Sequence, residues 1–289
     1  MTSNSAIQNS AVLTRLSMTR FNDEKQLPSI PSGVLRDHYK LEQGSKINQT
    51  FHLFGENQMY DDIYSAMNSL RSAHYKLTLK YDVSVHLLPS TLINEYIEVM
   101  EKGEEKVKLT LEGFRSVYDE VVSDSQIKLG ELLPYVKHLY VPKDECMRQF
   151  SLSYKIDPIP DHNHFDRILG HKELADKLIK KTEDRMNERI NVAVKELFIR
   201  LKKPVVRMSE RLANEESKFR DTLVSNIREI IDLFPKLNLT GDEGLSHIAE
   251  TMKRDLYDVS PDRLREDINL REDTKAKVDN IIGLMDAYG

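Results

Sequence analysis

The sequence predicts a mainly α fold: an elongated antiparallel hairpin of two long helices, coiled-coil-like with an eleven-residue repeat, and a small β element near the connection. Three observations lead there. Charged residues are 31% and hydrophobic residues 39% of the 289, with only 11 Gly and 10 Pro. That balance is too apolar for disorder and too poor in turn-formers for an all-β chain. From Thr91 to Leu129, the residues Leu92, Tyr96, Val99, Gly103, Val107, Thr110, Phe114, Val117 and Val121 recur at steps of three and four, the spacing of one helix face. From Ile190 to Phe234 a second stripe repeats steps of 4, 4 and 3 and is apolar at twelve of thirteen positions, the exception being Glu216. Eleven residues over three turns average about 3.67 per turn, so that stripe stays on one side of a nearly straight helix.

Five contiguous segments follow from this pattern. Residues 1–55 carry Pro28, Pro31, Gly33 and Gly44 among polar residues and read as an N-terminal arm, with a short strand within Val12 to Phe21. Residues 56–129 begin with a helix from Asp61 to Leu77, where the acidic pair Asp61 and Asp62 suits a helix N-terminus. Strict alternation of Leu77, Leu79, Tyr81, Val83, Val85 and Leu87 then predicts a half-buried strand ending at Pro89. The first long helix follows, and Gly103 within it predicts a close backbone approach or a bend. Residues 130–170, broken by Gly130, Pro134, Pro142, Pro158, Pro160 and Gly170, are a Pro-rich reversal with a short strand over Phe150, Leu152, Tyr154 and Ile156.

Residues 171–240 are the second long helix, extended upstream by Leu174, Leu178 and Met186 into a path of about sixty residues and about 90 Å. It is kinked rather than stopped at Pro204, because a dozen buried seam residues at roughly 1.5–3 kcal/mol each outweigh the roughly 3 kcal/mol of an interior proline. Pro235 and Gly241 end it. Residues 241–289 are short helices, one started by Ser260-Pro261-Asp262 and the last with Val278, Ile281, Ile282 and Met285 on its apolar side. The second helix outruns the first, so part of its seam is left for other segments or for a second copy, which predicts a homo-oligomer.

Composition excludes several classes. A single cysteine, Cys146, rules out a disulfide framework or a thiolate zinc site, and no apolar run approaches the roughly 18 residues of a membrane span. Met1 to Ser10 shows no signal-peptide pattern, so a cytoplasmic protein without membrane attachment is expected. There is no GxxxxGK[ST], GxGxxG or GxSxG pattern, so no nucleotide cradle, nucleophile elbow or cofactor is read, and the chain is expected not to be an enzyme. In the run Asp161-His162-Asn163-His164-Phe165-Asp166, the residues His162, His164 and Asp166 are the metal-ligating candidates. Without a supporting helical motif the run reads as a surface loop, and no metal is assigned. The net charge of −5 hides a basic segment: residues 171–211 hold twelve Lys or Arg against seven acids, +5, which leaves −10 elsewhere. Arg200, Lys202, Lys203 and Arg207 are the nucleic-acid-binding candidates around Pro204, although only Phe198 is nearby for stacking.

The order of several short motifs resembles a family of tailed-phage proteins of similar length and no assigned activity. These motifs are Val12-Leu13-Thr14-Arg15-Leu16-Ser17-Met18-Thr19-Arg20-Phe21, Ser72-Ala73-His74-Tyr75, Leu87-Leu88-Pro89 and Leu129-Gly130-Glu131-Leu132-Leu133. They continue with Phe150-Ser151-Leu152 running to Asp157-Pro158-Ile159-Pro160, then Phe219-Arg220-Asp221-Thr222-Leu223 and Leu264-Arg265-Glu266-Asp267. The family is often encoded beside a MoxR-type AAA+ ATPase and a von Willebrand factor A protein. The resemblance implies a phage-encoded adaptor in the host cytoplasm serving such a remodelling system. It brings no catalytic residues. A von Willebrand factor A domain commonly takes a partner's carboxylate onto its metal, which makes Asp144, Glu145 and Asp161 the partner-binding candidates. The alternatives are a nucleic-acid-binding accessory factor in phage replication and an inhibitor of a host defence protein.

Overall fold

In the computed structural model the described residues are 7, 9–26, 50–160, 172–214 and 221–289, and helix dominates among them. The chain divides into two units, each assembled from separated stretches. Unit 1 is Met1–Arg15, Tyr75–Tyr96 and Lys155–Gly289, and unit 2 is Leu16–His74 and Ile97–Tyr154. The boundaries of these units cut across the five contiguous segments expected from the sequence, because each unit joins stretches that are separated along the chain.

The strands are β1 (Ala11–Thr19), β2 (Glu24–Gln26), β3 (Thr50–His52), β4 (Leu79–Lys80), β5 (His86–Pro89) and β6 (Ser151–Asp157). One sheet has the order β4-β5-β1-β6, and β2 and β3 form a separate ribbon. Strands β1 and β6 fall where their alternation places them. The run 77–87 does not: Leu77 closes a helix, and β4 and β5 are the arms of a hairpin pairing Leu79 with Leu87 and Lys80 with His86. The N–H groups of Tyr81 and Asp82 both donate to the Val85 carbonyl at 2.9 Å, and Val83 stands at the tip, 91% exposed. Apolar residues on two facing hairpin arms keep the period of two that one long strand would show.

Within unit 1, β5 pairs antiparallel with β1 from Ala11↔Pro89 to Thr14↔His86. The buried Thr14 hydroxyl donates to the Lys155 carbonyl at 2.9 Å, so it accepts from the Tyr96 hydroxyl at 3.0 Å. The helices of this unit are numbered after those of unit 2: α5 (Lys172–Ala213), α6 (Asp221–Leu237), α7 (Glu243–Leu256), α8 (Pro261–Glu266) and α9 (Ile268–Tyr288). Helices α5, α6, α7 and α9 pack in a closed cycle, each against two others, with α8 against α9 and β4 against α5.

Helix α5 is 42 residues long and runs through Pro204 without a break. Its buried stripe is Ile190, Ala193, Leu197, Leu201, Val205, Met208 and Leu212, two eleven-residue repeats with Ala193 in place of the expected Val194. Glu216 and Phe219 lie outside the described residues, and beyond them α6 packs back along α5 rather than extending it. The buried set in α6 is accordingly Val224, Ile227, Ile231, Leu233, Phe234 and Leu237, which keeps the expected Ile227 and Phe234 and replaces Leu223 and Ile230 with Val224 and Ile231. Segments of its own unit cover the α5 seam, so neither a long-helix hairpin nor a second copy is needed to bury it. Pro235 does not end α6, which continues to Leu237 because Phe234 and Leu237 are both anchored in the core.

The ends of these helices are capped by side chains. Asp242 and Asp267 accept from the N–H groups of Leu245 (2.8 Å) and Leu270 (3.0 Å), and Ser260 with Pro261 starts α8. Arg271 donates to the carbonyls of Leu212 and Arg211 at 3.2 and 3.0 Å, closing α5. Arg228 does the same beyond α7, at Tyr257 (2.6 Å) and Val259 (3.1 Å).

Unit 2 is built on α1 (Gln58–Leu77) and α2 (Ile93–Leu129), followed by the short α3 (Leu133–Val136) and α4 (Lys143–Arg148). Phe54 is central to its core, with ring centroids 4.9–5.8 Å from Phe21, Tyr60, Phe114 and Tyr118. Phe21, Leu53 and Phe54 belong to the region read as an arm, yet all three are buried. Gly103 makes the close approach its position suggests: a Cβ there would lie 2.3 Å from Leu70 Cδ1. After α2 the chain turns at Gly130, whose φ of +52° few other residues adopt.

Candidate interaction groove

The face of α2 opposite α1 carries the most site-like feature among the described residues. Glu104, Val107, Lys108, Leu111, Glu112 and Arg115 are spaced at i, i+3, i+4, i+7, i+8 and i+11, so they share one face. With Met147 of α4 and Leu152 of β6 they line a groove of about 350 Å³, at the small end of ligand-sized clefts. Val107, Leu111, Met147 and Leu152 form an apolar floor. Glu104, Lys108, Glu112 and Arg115 set alternating charge along the helix, which runs about 16 Å from first to last. The polar groups of the lining are two carboxylates, one ammonium and one guanidinium, all on α2.

Helix α4 is held to α2 by three contacts. The Arg115 guanidinium donates to Asp144 at 2.7 Å, and Lys143 pairs with Asp119 at 2.5 Å. Such exposed pairs are worth about 0–1 kcal/mol each, so the stronger anchor is Cys146, fully buried against the aromatic core. Burial pushes its thiol up to about 12. Burial also pushes the neighbouring Tyr118 hydroxyl well above the ordinary tyrosine value, with Cys146 adding to the effect; that hydroxyl donates to the Val141 carbonyl at 2.7 Å. Asp144 and Glu145 thus occupy the first turn of α4, where acids complement the helix dipole. Asp144 is 72% exposed at the groove's edge and Glu145 is exposed beside it. Asp161 lies outside the described residues, as do His162, His164 and Asp166. Among the described residues no three His, Cys, Asp or Glu are grouped to hold a metal ion.

The four basic candidates all sit on α5 but do not form one open patch. Arg200 bonds to Glu196 and to the carbonyls of Thr78 (2.7 Å) and Lys76 (3.3 Å), while Glu196 takes the N–H of Lys80. Together they seal the β4 edge of the sheet. Lys202 pairs with Asp286 at 2.6 Å and lies 5.6 Å from the Phe198 ring centroid. Only Lys203 and Arg207 point wholly to solvent. The sequence reading missed one pair altogether: Asp23, 7% exposed, meets Nδ1 of His52 at 2.9 Å. It pins the β2–β3 ribbon where the Tyr60 hydroxyl donates to the Phe21 carbonyl at 2.8 Å. Twenty-nine positions separate that aspartate from its histidine, and no local pattern links them.

Fold and groove together define a mainly helical protein with a bundle in one unit and an amphipathic groove in the other. No family model matches the chain, and no curated protein or solved structure does either. The likeness to the phage family therefore stands on motif order alone. No helix among the described residues is long and apolar enough to cross a membrane.

Proposed function

We propose that this chain is a non-enzymatic interaction protein that engages a protein partner through the groove of unit 2 and the carboxylates at its edge. The observation that supports this most is the juxtaposition of the apolar floor (Val107, Leu111, Met147, Leu152) with a charged row and with exposed Asp144 and Glu145. Apolar area supplies affinity, and alternating charge sets the register of what lies on it. Following the motif resemblance, the partner is the von Willebrand factor A protein or the MoxR-type ATPase encoded nearby, and the chain is a phage-encoded adaptor in the host cytoplasm. A carboxylate from Glu145 or Asp144 would complete the metal coordination of the von Willebrand factor A domain.

The test is titration calorimetry of the purified chain against each of these two proteins, with magnesium present. Glu145→Gln with Asp144→Asn is expected to weaken binding about tenfold or more. The charge swap Glu104→Lys with Lys108→Glu is expected to do the same without altering net charge. No binding by the unaltered chain sinks the adaptor reading, and binding indifferent to both variants moves the site elsewhere. The nucleic-acid alternative retains Lys203 and Arg207. The homo-oligomer expectation loses its argument, since the α5 seam is covered within its own unit.

A further inference from the structure

A different surface of unit 2 brings two arginines together around one tyrosine. Tyr64, Asn68 and Arg71 follow one another at i, i+4 and i+7 along α1, so they share a face, and Arg20 reaches that face from the end of β1. The Arg20 guanidinium carbon lies 4.2 Å from the centroid of the Tyr64 ring, stacked in cation–π fashion. Arg71 Nη1 donates to Asn68 Oδ1 at 3.1 Å, and Asn68 hydrogen-bonds the Tyr64 phenol. The phenol is pulled below its ordinary value by that hydrogen bond first, then by Arg20, with Arg71 adding to it. Both guanidiniums therefore act on the same few ångströms of space. Neither arginine forms an ion pair with a carboxylate among the described residues. Both are exposed, and Tyr64 is 42% exposed. Asp61 lies one turn earlier on the helix. In a chain of net charge −5, two arginines left to face solvent around one tyrosine are a concentrated cationic spot.

We infer that Arg20, Tyr64, Asn68 and Arg71 form a binding site for a phosphate dianion. A guanidinium offers a planar fork of N–H donors matched to pairs of phosphate oxygens, and stacking on an aromatic ring fixes its plane while leaving those donors free. Two guanidiniums balance two negative charges, whereas a carboxylate would leave one unanswered. The phenol and the Asn68 amide add neutral donors suited to a tetrahedral ion with more than two acceptor oxygens. The phosphate could be free or carried by a nucleotide, whose base would find the Tyr64 ring beside it.

The experiment is an NMR titration of the full chain at constant ionic strength near pH 8, where a phosphate monoester is dianionic. Inorganic phosphate is added in one arm, adenosine monophosphate in a second, and sodium acetate in a third. The expected result is saturable shifts of the Tyr64, Asn68 and Arg71 amides with phosphate, at a dissociation constant of about 1 mM, as suits an exposed site. Binding is expected to weaken about tenfold or more in Arg20→Gln with Arg71→Gln, while the remaining resonances show that the fold is kept. Tighter binding of the nucleotide, with the gain lost in Tyr64→Leu, assigns the source to a nucleotide; equal binding assigns it to the phosphate alone. Absence of saturation, undiminished binding in the double variant, or equal affinity for acetate overturns the site.

Discussion

Gly103 of α2 lies against Leu70 of α1, and the consequence for a single methyl group can be worked out. Alanine would gain about 1 kcal/mol of helix propensity. Its Cβ would fall 2.3 Å from Leu70 Cδ1, and Leu70 is itself buried, so overpacking of about 1–3 kcal/mol opposes that gain. Gly103→Ala is expected to lower stability by up to about 2 kcal/mol in urea unfolding, and Leu70→Ala in the same chain is expected to be less than additive with it. Cys146 makes a second prediction. A thiol that is fully buried and pushed up to about 12 should resist iodoacetamide at pH 8 in the native protein and react once urea unfolds it. The third concerns Tyr288, whose ring lies 5.4 Å from that of Phe198 and whose hydroxyl donates to Asp242 at 2.8 Å. Burial first, and the Asp242 hydrogen bond next, push it up to about 12. The folded state therefore holds this proton more tightly than the unfolded chain does. The stability it contributes is complete below the ordinary tyrosine value of about 10 and is lost as pH rises through about 12. The urea midpoint is expected to fall over that range, and less steeply in Tyr288→Phe. Of these three residues only Gly103 announced itself in the sequence, as a glycine inside a helical stripe. Cys146 sits in the mostly charged run Lys143-Asp144-Glu145-Cys146-Met147-Arg148, and nothing local shows that its side chain turns inward.

Among elements, α5 shows how a basic residue can be structural. Glu196 and Arg200, one turn apart, reach across to the backbone around β4, so the guanidinium satisfies carbonyls that would otherwise lose their partner. Arg200→Met is expected to destabilise the protein by about 1–3 kcal/mol in thermal or urea unfolding. Lys203→Met, on an open face, is expected to stay within about 0.5 kcal/mol. A nucleic-acid role for the segment would instead appear as salt-dependent binding lost in Lys203 and Arg207 variants whose stability is unchanged. The long helices were legible because a stripe sustained over many turns has no competing reading, and the repeat from Ile190 to Leu212 survives in the burial pattern of α5. The stretch from Leu77 to Leu87 was not, because its tight turn carries Asp82 and Ser84 rather than an Asn-Gly or Gly-Gly signal. The groove was not legible: Asp144 and Glu145 entered through the family resemblance, and Met147 and Leu152 join the α2 face only through tertiary packing.

At the scale of the whole molecule, a covered seam predicts a monomer: light scattering is expected to give a mass near 33.5 kDa. The division of the chain has a further consequence. The passages from one unit to the other fall at 15/16, 74/75, 96/97 and 154/155, inside β1, α1, α2 and β6. Every residue of unit 2 has been synthesised once position 154 is reached. The opening segment of unit 1, by contrast, waits for the stretch from Lys155 to Gly289 that completes its helical bundle. At ribosomal speeds of about 5–20 residues per second that wait is roughly 7–27 s. Order of translation thus becomes order of folding: unit 2 can form while the buried face of β5 still lacks the helices that will cover it, and a chaperone's window on this protein falls in that interval.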